Sequence, residues 1–129
     1  TIFEFITLAS LVEKEAKFDE DRPIIAAVFR QRLKTGMPLE SCASIQYILG
    51  YPKPLISIED TKLESPYNTY LHKGLPPGPI ANPGIKSMEA VLYAPPTEYL
   101  FFVADKEGHH HFTKTYDEHL KIVDQIYEN

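Results

Sequence analysis

Residues 74–84 read Gly-Leu-Pro-Pro-Gly-Pro-Ile-Ala-Asn-Pro-Gly, four prolines and three glycines in eleven positions. Proline lacks a backbone donor and fixes φ, so neither a helix interior nor a central strand can pass through this stretch. Leu75 and Ile80 give it apolar anchors, which argues against a free linker. An ordered loop is the expectation, with prolines reducing the entropy lost on ordering, and such loops commonly form binding-site walls. Pro76-Pro-Gly-Pro79 also satisfies the PxxP pattern of SH3 ligands, but the anchored loop is the better reading. Tyr67, Asn68, Tyr70 and Asn82 lie around it. Amides bond hydroxyls and aromatic faces cover the apolar faces of sugar rings, so the set suits a carbohydrate. The alternative is that Asn68 and Asn82 cap turns.

Upstream, residues 2–16 follow a helical period. Ile2, Phe5, Ile6, Ala9, Val12 and Ala16 share one arc. Thr7, Ser10 and Lys14 fall opposite, with Glu4 and Glu15 toward the polar side. Glu13 projects between Ile6 and Ala9, inside the apolar arc. A carboxylate there must be paired, protonated or beside a cleft. Desolvation would raise its pKa, which suits a general acid near neutral pH. The competing expectation is an internal ion pair with Arg30 or Arg32. Glu15 cannot be its catalytic partner across one bond, because i and i+2 on a helix point about 200° apart.

The remaining elements follow from caps and periods. Asp19 or Asp21 with Pro23 starts a second helix, whose stripe is Ile25, Val28, Phe29 and Leu33 and whose stop is Gly36. Arg30, Arg32 and Lys34 match its dipole; the alternative for Arg32 is to reach toward Glu13. A short helix spans about 43–49, and Ser57 with Asp60 forms a weak capping box. A helix over 85–94, a strand over 99–104 covered on both faces, a turn, a strand over 109–113 and a helix over 116–127 capped by Thr115 complete the chain. The fold class expected is α+β: a mainly helical single domain, residues 1–129, with a small antiparallel β-hairpin and a Pro/Gly-rich active-site loop.

Composition excludes several functions. The net charge of −5 leaves no basic face for a nucleic-acid partner. One cysteine, Cys42, rules out an internal disulfide. No run approaches the roughly 18 apolar residues of a membrane span. His109-His-His111 would place two side chains on one strand face, with His119 a third, but no metal-ligand spacing supports a metal site. Cys42 lies in no nucleophile elbow and at no expected helix N-terminus, so it reads as a packed or surface thiol. Phosphate-binding glycine motifs are absent.

The motifs in order resemble the YceG-like (MltG-type) endolytic murein transglycosylases. They are Leu8-Ala-Ser-Leu-Val-Glu-Lys-Glu15, Val28-Phe-Arg-Gln-Arg-Leu33 with Gly36-Met37, Ser65-Pro-Tyr-Asn-Thr-Tyr70, the 74–84 block, and Phe102-Val-Ala-Asp105 into His110-x-Phe112. The resemblance departs at one place. After Gly36-Met37 the family pattern is Leu-Gln-x-Asp-Pro-Thr-Val-x-Tyr, whereas this chain has Leu39-Glu-Ser-Cys-Ala-Ser-Ile-Gln-Tyr47. Gln46 is the candidate to compensate.

The resemblance implies a domain that cuts peptidoglycan glycan strands internally without metal or cofactor. Read with the helical wheel, it assigns the catalytic glutamate to Glu13, the first of its block. It further implies a core excised from a longer protein with an N-terminal membrane anchor. That protein would act on the outer face of the cytoplasmic membrane beside peptidoglycan synthases. On this reading protonated Glu13 donates to the glycosidic oxygen, then accepts the proton of the muramic C6 hydroxyl, leaving a 1,6-anhydro end. Arg32, Gln46, Tyr67, Asn68, Asn82 and His110 are the expected substrate-binding residues. The alternatives are a hydrolytic muramidase using the same glutamate and a non-catalytic glycan-binding or synthase-docking module.

Overall fold

The computed structural model describes residues 1–53 and 55–127. Helix α1 spans Ile2–Glu15. It opens with a reciprocal capping box: Glu4 N donates to Thr1 Oγ1, and the Thr1 amine donates to the Glu4 carboxylate. Helix α2 covers Arg22–Thr35, α3 Cys42–Leu49 and α4 Ile85–Leu92. Helices α2, α3 and α4 all pack on α1, which makes it the centre of the domain. Leu8, Leu11 and Val12 meet Ile25, Phe29, Leu39 and Val91 there. Complete burial of a side chain such as Phe29 stabilises the fold by about 2–3 kcal/mol.

Because α1 is central, its expected polar side is exposed only in part, at Glu4 and Lys14. Thr7 and Ser10 are buried. Their hydroxyls bond back to the Phe3 and Thr7 carbonyls, and Ser10 Oγ also accepts from Ile80 N at 3.1 Å. The two-sided wheel fails here because it presumes one face in water.

Pro23 lies in the first turn of α2, and Asp21 takes the N-cap position without making a side-chain cap bond. Gly36 ends the helix in the left-handed region at φ 76°. Glu40 follows at φ 50°, the one non-glycine with positive φ among the described residues. Further on, Ser57 and Asp60 form the expected reciprocal cap around a 3₁₀ turn.

The 74–84 stretch runs along α1 without regular structure. A Cβ on Gly78 would stand 3.3 Å from both the Phe3 ring and the Tyr67 hydroxyl, so the backbone passes close there. Ile80 is buried in the core, and Gly84 becomes the N-cap of α4. That helix ends two residues before the expected limit, with Pro95-Pro96 just beyond.

Strands β1 (Phe101–Ala104) and β2 (His110–Thr113) pair antiparallel, each starting slightly later than expected. Phe102 opposes Phe112 and Ala104 opposes His110. Phe102 meets Phe29 edge-to-face at 5.6 Å between ring centroids. Helix α5 (Tyr116–Tyr127) packs on the other side of the hairpin, where Phe101 contacts Tyr116 and His119. Thr115 caps α5, accepting from Glu118 N at 3.2 Å. The domain is therefore α+β and mostly helical.

Gly108 closes the hairpin turn at φ 101°. A Cβ there would lie 2.4 Å from Lys17 Cδ. Gly108→Ala is expected to cost about 1–2 kcal/mol, read as a lowered melting temperature. An unchanged melt would mean that the turn tolerates a different backbone.

Candidate active site

Glu13 and Glu15 leave α1 in opposite directions and enter different environments. Glu13 Oε1 accepts from Gly84 N at 2.9 Å and from Ser87 Oγ at 2.8 Å. Arg22 Nη1 stands 3.8 Å from the same oxygen and itself donates to Ser87 Oγ. Gly84 has no side chain with which to cap α4, so Glu13 supplies the carboxylate from α1. The positive end of the α4 dipole favours it. Hydrogen bonds from Gly84 and Ser87, then the Arg22 charge, hold the Glu13 carboxyl below the usual carboxylate range. Its side chain keeps 30% exposure. Desolvation does not dominate, contrary to the expected raised pKa, and the cationic partner is Arg22 rather than Arg30 or Arg32.

Glu15 is the reverse. It is partly buried and faces a cavity of about 550 Å³ that Glu13 does not line. Ser41 Oγ donates to Glu15 Oε2 at 3.2 Å. Burial pushes the Glu15 carboxyl above its ordinary value, against the Ser41 bond and the Arg32 charge. The residue expected on the solvated side is thus the one whose environment favours the protonated form.

The cavity lies between α1, α2, the start of α3, the hairpin and α5. Arg32, Glu40, Cys42, Tyr70 and His119 line it beside Glu15. Arg32 is buried and fixed, Nε donating to Leu100 O at 2.8 Å and Nη1 to Leu39 O, with the guanidinium over the Phe102 ring. Cys42 is the first residue of α3, contrary to expectation, and its Sγ lies 3.1 Å from Tyr70 Oη. Burial raises the pKa of both groups, so both stay protonated near neutral pH. His119 Nδ1 is buried without a hydrogen-bond partner among the described residues, and burial lowers the pKa of that ring. Phe101, Tyr116 and Tyr127 add an aromatic wall. A carboxyl inclined to hold its proton, tyrosine hydroxyls, a guanidinium and aromatic faces in one cavity suit acid–base chemistry on a sugar.

The other expected contact residues are dispersed. Asn68 is fully buried, its amide donating to the Thr61 and Leu63 carbonyls and its oxygen accepting from Tyr70 N. Gln46 Nε2 donates to Lys53 O. Tyr67 packs against the core and tilts onto Tyr47. Asn82 is exposed, two residues before Gly84. His110 is buried, with its backbone N donating to Asp21 Oδ2 and its ring against Phe102. His111 pairs with Asp105, and His109 stacks on Phe18. Sequence reasoning missed Glu15, Glu40 and Cys42 as cavity residues. The pointer it had was Arg32, a cation in a helix whose neighbours on the same face are apolar.

The two glutamates should shift stability oppositely with pH. The lowered Glu13 pKa stabilises the fold above the unfolded value of about 4.3, and this is lost as pH falls through the folded value. The raised Glu15 pKa costs stability as pH rises from about 4.3 through its folded value. At pH 7 Glu13→Gln is expected to lose about 1 kcal/mol, while Glu15→Gln holds or gains. Thermal melts of both variants at pH 7 check this; the opposite order would reverse the assignment of environments.

Comparisons with known proteins agree with the motif order. The profile of the YceG-like family matches residues 1–125. The endolytic murein transglycosylase of Bacillus subtilis (strain 168) is 46% identical over 125 residues, covering 97% of this chain and 35% of that protein. The endolytic murein transglycosylase of Streptococcus pneumoniae serotype 2 (strain D39) is 40% identical over 129 residues, covering 95% of this chain and 23% of that protein. A crystal structure of a yceG-like protein from Listeria monocytogenes matches with a TM-score of 0.90 at 45% identity, covering 94% of this chain and 40% of that one. This chain therefore spans well under half the length of each. On the extent of the profile match and these identities, the chain belongs to the YceG-like family.

Proposed function

We propose that this chain is the catalytic core of an endolytic murein transglycosylase that cuts the β-1,4 bond between N-acetylmuramic acid and N-acetylglucosamine within glycan strands. The names of the relatives support the activity. The observation that carries the mechanism is Glu15, a carboxyl with raised pKa lining a partly open cavity of mixed polar and aromatic side chains. Glu15 replaces Glu13 as the proposed catalytic residue. A general acid must still hold its proton near neutral pH, and the partners of Glu13 favour its ionised form.

Protonated Glu15 gives its proton to the glycosidic oxygen as the bond to muramic C1 breaks, and the N-acetylglucosamine end leaves as an alcohol. The substrate's own N-acetyl oxygen assists the developing cation, so one enzyme carboxyl suffices. Ionised Glu15 then accepts the proton of the C6 hydroxyl as that oxygen bonds to C1. The product end is 1,6-anhydro-N-acetylmuramic acid. Arg32 balances the transient carboxylate, and Tyr70 and the aromatic wall contact sugar. Asn68, whose amide bonds within the fold, and His110, whose ring is buried against Phe102 beside Asp21, serve this reading as scaffold. A peptidoglycan substrate fits a reaction outside the cytoplasmic membrane, with peptidoglycan synthases as the partners of this reading. Among the described residues no helix is long and apolar enough to cross a membrane.

One observation favours a second reading with Glu13. Its described hydrogen bonds all go to Oε1, and the side chain keeps 30% exposure, which leaves Oε2 for a ligand.

Purified glycan strands and mass spectrometry decide between them. Wild type should produce anhydro ends. Reducing ends would indicate hydrolysis, and no cleavage would indicate a binding module. Glu15→Gln should lose on the order of 10²–10⁴ in rate, while Glu13→Gln keeps most turnover at a temperature where it is folded. The reverse pattern would establish the Glu13 reading.

A further inference from the structure

The geometry points to Ser41 as the positioning residue of Glu15, fixing which carboxyl oxygen carries the acid proton; this rests on the Glu15 reading above. Ser41 occupies the N-cap position of α3, yet its side chain makes no cap bond. A serine there ordinarily accepts from a backbone donor in the first helical turn. Here the hydroxyl, 1% exposed, donates instead to Glu15 Oε2 at 3.2 Å. The helix forgoes a stabilising bond, and the side chain turns to the carboxyl behind the cavity wall.

Ser41 is held there from several sides. Its backbone N donates to Thr69 Oγ1 at 2.9 Å, and its carbonyl accepts from Ser44 Oγ at 2.8 Å. Ser44 Oγ and Thr69 Oγ1 lie 2.9 Å apart, closing a buried hydroxyl cluster. The residue before it, Glu40, is held at φ 50° with its N donating to Thr69 O. A non-glycine in the left-handed region persists only where its surroundings impose it. The backbone distortion, the forgone cap and the buried cluster all serve to place one hydroxyl.

With Ser41 donating to Oε2, the transferable proton sits on Oε1. The carboxyl then does not have to rotate before transfer, and a misplaced proton is a large kinetic loss. The other titratable groups facing Glu15 are Arg32 from α2, Glu40 and Cys42 at the start of α3, Tyr70, and Tyr116, His119 and Tyr127 from α5. Among the described residues, Ser41 is the one with a hydrogen bond to the Glu15 carboxyl.

The test is the pH dependence of glycan-strand turnover for Ser41→Ala and Ser41→Thr, beside Glu15→Gln. Removing a donor that favours the ionised form raises the Glu15 pKa, so the alkaline limb of kcat should move to higher pH in Ser41→Ala. In that variant kcat should fall about tenfold with KM little changed. Ser41→Thr keeps the hydroxyl and should return the limb to its wild-type position. A Ser41→Ala protein with unchanged kcat and limb overturns the inference. So does one whose activity is lost together with its melting transition, which would make Ser41 a structural clamp alone. Turnover surviving in Glu15→Gln would overturn the underlying reading instead.

Discussion

Helix α1 packs against three other helices, and the polar side chains it turns inward, Thr7, Ser10, Glu13 and Glu15, must find partners within the fold. An unpaired buried polar group costs more than a single hydrogen bond returns, so this demand shapes the neighbouring segments. Ser10 takes the backbone of Ile80 and pins the proline-rich stretch. Glu13 takes the start of α4. Glu15 takes Ser41 and, through it, the start of α3. One helix thus organises two others that the sequence separates by long irregular segments.

Two glutamates two residues apart show how placement, not residue type, sets chemistry. Glu13 meets a helix N-terminus, a serine donor and a cation, each of which favours its charge. Glu15 meets a partly open cavity in which desolvation outweighs one hydroxyl and one guanidinium. Arg32 is too rigidly held, by two backbone carbonyls and an aromatic face, to close into a bidentate pair with Glu15. Without that pair the carboxyl keeps its tendency to hold a proton. A mobile lysine at the same place could close on the carboxylate and quench the acid.

Much of the fold was legible because it rests on local signals. Caps at Thr115 and Ser57, stops at Gly36 and Gly50, and the aromatic strand all depend on residues a few positions apart. The Pro/Gly stretch was legible as irregular yet anchored, and Gly84 does meet Glu13. The site was less legible. A helical wheel assigns one wet face, and α1 has none along Thr7 and Ser10. The environment of Glu15 is assembled from residues 32, 41, 42, 70 and 119, whose convergence is a property of the tertiary fold. Asn68 looked like a sugar ligand by type, but its amide is consumed by the turn it closes.

The departure from the family pattern at Cys42 can be understood in the same terms. That position opens α3, where the helix dipole would stabilise the aspartate of the pattern. Here a neutral thiol stands at the helix start, its pKa raised by partial desolvation and its Sγ set against Tyr70. The pattern's glutamine two residues earlier is Glu40 in this chain, which lines the same cavity. A negative charge has in effect moved from the helix terminus to the turn before it. Glu40 and Glu15 both face Arg32, so the cavity retains a cation with two acidic neighbours. Because Glu40 is exposed, water screens its repulsion of Glu15. The buried carboxyl therefore owes its raised pKa chiefly to its own desolvation, and that survives the exchange of residues at 40 and 42.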